Sequence, residues 1–197
     1  MQITYIILLI GLLAGCATSP PVKDPLPPQP KIASYPSKED DEKISQALCS
    51  VSKGTMTKEE QTDLVSATPD HPYVQYYMGH MPWYIVKDYA KAAPNLKKAA
   101  DMGFAPAQYE YAISNAALKG NVEVSIAYAM LAAKSANPSV SADAQQILDK
   151  LKNKMSAAQK KNAEAIAANV EAAYLPEFAS NVSELNKIYF TNELNCH

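Results

Sequence analysis

The sequence predicts an all-α fold over residues 38–197: a short α-solenoid built from antiparallel helix pairs. Three observations predict it. Glycine is scarce, with 6 in 197 residues, alanine is abundant, and no long stretch alternates β-branched and polar residues at the period of a strand. Two capping-box spacings, Thr57 with Glu60 and Ser156 with Gln159, stand at the head of helix-forming runs. The chain also resembles itself at a shift of 33 residues, which lays Asp88 on Asn121, Asn95 on Tyr128 and Ala99-Ala100 on Ala132-Ala133. The same shift lays Val74-Gln75-Tyr76-Tyr77 on Ala107-Gln108-Tyr109-Glu110.

The helical part is preceded by a different kind of segment. Residues 3–14 are almost wholly apolar, and no charged side chain appears before Lys23. A membrane-spanning helix needs roughly 20 apolar residues. The shorter run here fits the apolar region of a signal peptide. It ends in Leu13-Ala14-Gly15-Cys16, and these four residues resemble the lipobox of bacterial lipoproteins. The usual lysine or arginine near the N-terminus of that family is missing. The resemblance implies that residues 1–15 are a signal peptide, that cleavage falls before Cys16, and that the Cys16 sulfur carries a diacylglycerol thioether. Ala17 stands where an aspartate would imply retention in the inner membrane. The expected location is therefore the cell envelope, at the outer membrane and facing the periplasm. Residues 16–37 hold seven of the 14 prolines, and proline fixes φ and lacks an N–H, so this stretch reads as an extended polyproline tether.

The helices follow in order. Ser37 can cap a helix running to about Ser52, with Glu39, Asp40, Asp41 and Glu42 in its first turn, where the helix dipole favours negative charge. Thr57 opens a second helix to about Ala67. Pro72 suits the first turn of a third, which carries Val74, Tyr77 and Met78. Another helix follows Asp88. Pro94 then implies either a start near Ala93 or a kink, and the late start is the reading favoured. Further helices are expected over Pro106–Lys119, Val122–Ala136 and Ala142–Met155, and from Ser156 to about Tyr174. Pro176 ends that one, and a last short helix is expected over Ser183–Phe190.

Helix pairs of this length, with Asp88-Tyr89, Lys91-Ala92, Lys97-Lys98-Ala99-Ala100, Gly103 and Ala107-Gln108, resemble the Sel1-like repeats, relatives of the tetratricopeptide repeats. The resemblance covers about residues 72–172. Asn95 stands where that family usually has an aromatic residue, and the turn between Gly79 and Asp88 lacks the family's glycines. The resemblance implies a protein-interaction module, since stacked helix pairs create extended concave surfaces.

Composition excludes several functions. The net charge of −2 argues against a nucleic-acid partner. All 18 basic residues are lysine, so forked guanidinium recognition of phosphate or carboxylate is missing. Two cysteines besides Cys16 and three scattered histidines lack metal-ligand spacing, and no metal, cofactor or small-molecule substrate is expected. In an oxidising compartment Cys49 and Cys196 are expected to form a disulfide, two separate thiols being the alternative. No nucleophile elbow, paired-histidine helix or phosphate-binding glycine loop occurs, so no enzyme is expected. His71 and His80 read as loop or cap residues flanking a helix. Tyrosine and tryptophan crowd into residues 73–111. Tyr77, Tyr89 and Tyr111 are expected in the core. Trp83 and Tyr84, in a connection, are the first candidates for contact with a protein, followed by Tyr76 and Tyr109. The expected function is a lipid-anchored scaffold or adaptor for another envelope protein. The alternatives are an immunity or inhibitor lipoprotein acting on an envelope-directed effector, and a structural subunit of a secretion or export assembly.

Overall fold

The computed structural model describes residues 37–52, 55–151 and 154–174. Among them are eight α-helices and no strand: α1 Lys38–Ser52, α2 Lys58–Ala67, α3 Pro72–Met81, α4 Tyr89–Asp101, α5 Ala105–Ala117, α6 Val122–Ala133, α7 Pro138–Leu151 and α8 Ala157–Ala172. A π-helical turn, Pro82–Val86, joins α3 to α4. The helix expected over Ser183–Phe190 and the break at Pro176 lie outside the described residues, as do the signal peptide, Cys16, the tether and Cys196.

Local chemistry fixes most of the helix starts. Ser37 Oγ accepts from the Asp40 N–H at 3.2 Å, and the Asp40 carboxylate accepts from the Ser37 N–H at 2.9 Å. Both capping boxes form: the Thr57 and Ser156 hydroxyls accept from the N–H three residues on, and the Glu60 and Gln159 side chains reach back. His71 caps α3 by accepting from the Tyr73 N–H at 3.1 Å, with Pro72 in the first turn. Asp88 and Asn121 cap α4 and α6. Phe104 precedes α5 without a side-chain bond and is fully buried instead.

The helices pack in a row. Each of α3, α4, α5 and α6 packs on the next, and α6 carries both α7 and α8. The first helices of successive pairs begin at residues 72, 105 and 138, a constant interval of 33. The second helices begin at residues 89 and 122, again 33 apart, and then at 157. Short turns reverse the chain each time, so the turns after α3, α5 and α7 share one edge of the row. The turns after α4 and α6 share the other. The core is made of Leu96, Phe104, Ile126, Tyr128 and Val170 with many alanines, whose small side chains let the helices approach. Gly79 is the tightest case: a Cβ there would lie 2.7 Å from Leu96 Cγ and 2.9 Å from the Leu96 backbone nitrogen.

Several expectations are corrected. The helix expected from Ala142 begins at Pro138, because Asn137 Oδ1 accepts from the Val140 N–H at 3.0 Å and Pro138 takes the first turn. Pro94 does not delay α4, which starts at Tyr89 with Pro94 inside it. The lost backbone bond costs about 3 kcal/mol, and burial of Ala92, Leu96, Ala99 and Ala100 on the same helix opposes it. Of the three tyrosines expected in the core, Tyr111 is buried, while Tyr77 and Tyr89 are half-buried.

Candidate interaction surfaces

The segment expected as a plain connection, Met81-Pro82-Trp83-Tyr84, is mostly the π-helical turn. It is closed by the Asp88 N–H donating to the Pro82 carbonyl at 3.0 Å and by Lys87 in the left-handed region at φ 55°. The wide turn swings both aromatic rings back over His80. Trp83 stacks on the imidazole with centroids 6.1 Å apart, and Tyr84 does so at 5.4 Å. The Lys87 ammonium lies 4.7 Å from the Trp83 ring centre and 5.3 Å from that of Tyr84, within cation–π range.

Beneath the rings, His80 joins one repeat to the next. Its Nδ1 lies 2.7 Å from Glu110 Oε1 on α5, and the Tyr76 hydroxyl donates to the same oxygen at 3.0 Å. Glu110 is only 5% exposed. Its other oxygen and the Trp83 indole N–H are buried and have no hydrogen-bond partner. Above the cluster Tyr84, Ile85 and Val86 are 62%, 61% and 67% exposed.

The candidate contacts thus separate. Tyr84 is at the surface and Trp83 is half-buried under it. Tyr76 is not a surface contact: it is 4% exposed, packed against Phe104 with centroids 5.1 Å apart and tied to Glu110. Tyr109 is half-buried against Ala105, Ala132, Val140 and Ala144. Burial, with the Asp143 and Glu110 charges nearby, pushes its hydroxyl well above the usual tyrosine range. It is mainly a packing residue between α5 and α7. Among the histidines, His71 is a cap as expected, but His80 lies within α3. The i,i+4 spacing of Tyr76 and His80 was visible in the sequence. Their partner Glu110, 30 residues beyond His80, was not.

A second feature lies at the far end of the row. Where α7 and α8 both pack on α6, a groove of about 260 Å³ opens between them. Ile126, Met130, Leu148 and Met155 give it an apolar floor, and Gln145, Asp149 and Lys160 stand on its rim. Methionine side chains are flexible and adapt to irregular partners.

The opposite edge of the row carries a polar network. The Asp101 carboxylate accepts from the Tyr128 hydroxyl and, at 2.6 Å, from the Lys97 ammonium. Gln108 Nε2 donates to the Tyr174 hydroxyl at 2.6 Å, fastening the end of α8 to the start of α5. Among the described residues no group of three histidines, cysteines or carboxylates is placed to hold a metal ion. No described helix is long and apolar enough to cross a membrane. The Cys49 side chain lies outside the described residues.

No family model, no curated protein and no solved structure matches this chain.

Proposed function

We propose that this chain is a lipid-anchored protein of the cell envelope that works as a scaffold or adaptor, without a catalytic step of its own. The lipobox-like Leu13-Ala14-Gly15-Cys16 supports the anchor, with diacylglycerol on Cys16 and the outer membrane, periplasmic side, as the site of work. The constant 33-residue interval between helix starts supports the Sel1-like reading of the row. The observation that carries the binding reading is the groove over α6. It is apolar at the floor, polar at the rim, and of a size to take one or two side chains of a partner helix or loop.

Two experiments test this. A photo-crosslinking residue at Gln145, on the groove rim, should capture one recurring envelope protein in intact cells. The same residue at Glu39, far along the chain on α1, should not. Failure of Gln145 to capture any protein where the chain is abundant overturns the scaffold. Separately, Cys16→Ser should abolish acyl labelling and membrane retention, and persistent labelling overturns the anchor.

A further inference from the structure

Among the described residues six large apolar side chains are exposed, and five of them sit at one edge of the row. Met81 ends α3, Tyr84, Ile85 and Val86 belong to the turn after it, and Leu118, 47% exposed, belongs to the turn after α5. Ile85 and Leu118 stand one repeat apart, and each is followed within two residues by a lysine at positive φ, Lys87 at 55° and Lys119 at 56°. These are the only non-glycine residues of positive φ among those described. The third turn of the same edge brings the exposed lysines Lys150 and Lys154. The carboxylates near this edge are mostly engaged. Asp88 accepts from the Lys91 N–H at 3.1 Å and pairs with its ammonium at 3.3 Å, Asp149 takes a bond from Gln145 at 2.9 Å, and Glu123 is buried.

We infer that this edge docks on an anionic lipid surface, with Tyr84, Ile85, Val86 and Leu118 entering the headgroup boundary and the lysines lying among the phosphates. The inference takes from the proposed function only that the chain works at a membrane, and it does not need the groove. Aromatic rings favour the interface between water and hydrocarbon. Lysines beside an anionic leaflet are each attracted by about 1 kcal/mol. The apolar side chains occupy the tips of two separate turns. A stable protein interface buries about 800 Å² on each partner around a continuous core, whereas a fluid headgroup layer accommodates separate tips. The Lys87 ammonium over the Trp83 and Tyr84 rings keeps its charge at the level where lipid phosphates would meet it. An acyl chain on Cys16 tethers the protein but leaves its orientation free, and docking by this edge would set that orientation.

Trp83 is the sole tryptophan, so its fluorescence reads this edge directly. The full acylated chain is reconstituted on vesicles of phosphatidylglycerol and phosphatidylethanolamine, and separately on vesicles of phosphatidylcholine alone. On the anionic vesicles Trp83 emission should shift to the blue and be quenched by lipids brominated near the headgroup. On phosphatidylcholine the chain should stay anchored with Trp83 largely unquenched. Lys119→Gln and Lys154→Gln should each lower the docked-to-undocked ratio about fivefold, the factor equal to about 1 kcal/mol. Ile85→Ser with Val86→Ser should abolish quenching while circular dichroism stays unchanged. A chain that floats with anionic vesicles but keeps an unquenched Trp83 overturns the inference and leaves the anchor standing. A photo-crosslinker at Ile85 that captures a protein instead of lipid in cells also overturns it. Loss of the Gln145 crosslink would bear on the scaffold alone.

Discussion

The turns at the two edges of the helical row bury their side chains to opposite degrees. At one edge the residues just before α3, α5 and α7 are His71, Phe104 and Asn137, and all three are buried. Phe104 meets Tyr73 and Tyr76 edge to face, at 6.4 Å and 5.1 Å, and Tyr174 returns from α8 to cover Gly103. Asp101, Tyr128 and Lys97 are paired with one another there. At the other edge, one helix length away, Ile85, Val86 and Leu118 face outward. Burial of apolar surface stabilises by about 25 cal/mol per Å², so the first edge contributes to folding and the second forgoes that contribution. Side chains that add little to the fold of one chain are the ones left to contact something outside it.

The largest test of this contrast is alkaline pH. Burial, reinforced by the charge of Asp101, pushes the hydroxyls of Tyr128 and Tyr174 well above the ordinary tyrosine value. A tyrosine of raised folded-state pKa gives stability that is fully present below about pH 10, its unfolded value, and is lost as pH climbs toward the folded value. The sealed edge should therefore open cooperatively above about pH 10. Tyrosinate absorbance and helical circular dichroism should change together for these two residues. Ionisation of Tyr128 and Tyr174 at the ordinary tyrosine value, with helix retained, would break the contrast.

Phe104→Ala should cost about 3–5 kcal/mol, the range for a fully buried aromatic ring that leaves a cavity, measured as a fall in ΔG of urea unfolding. Asp101→Ala should cost about 2–3 kcal/mol, because it leaves the Tyr128 hydroxyl enclosed without an acceptor. The Lys97 ammonium is partly exposed and can return to water, so it adds little. An Asp101→Ala protein as stable as the parent would mean that the network follows the packing and does not support it.

How far the sequence anticipated this arrangement depends on the distance over which each feature is decided. Caps are settled within four residues, so Thr57 with Glu60 and Ser156 with Gln159 were legible. The 33-residue self-similarity located α3 to α6 because packing of alanine and aromatic positions recurs with each pair. The expected start of α7 at Ala142 departed from that interval, which puts it at Pro138, where the local Asn137-Pro138 signal opens the helix. The candidate site was less legible. Nothing within the span Tyr76 to Val86 tells which of its aromatic side chains a neighbouring helix will cover. Tyr76 is enclosed because Glu110 and Phe104 come from the next pair, and Tyr84 is exposed because a π-helical turn, not an α-helical one, carries the chain outward.

The smallest expected effect on stability is also the sharpest separation of the edges. Ile85 is 61% exposed, so Ile85→Ser should change unfolding free energy by no more than about 0.5 kcal/mol. An isoleucine in the core replaced by serine would cost several times as much. If Ile85→Ser destabilises by about 2 kcal/mol or more in the unfolding measurement, the side chain is covered within the chain itself, and the open edge is not open. If stability holds and Trp83 loses its response to anionic vesicles, the exposure of Ile85 is tied to what the edge touches and not to how the chain folds.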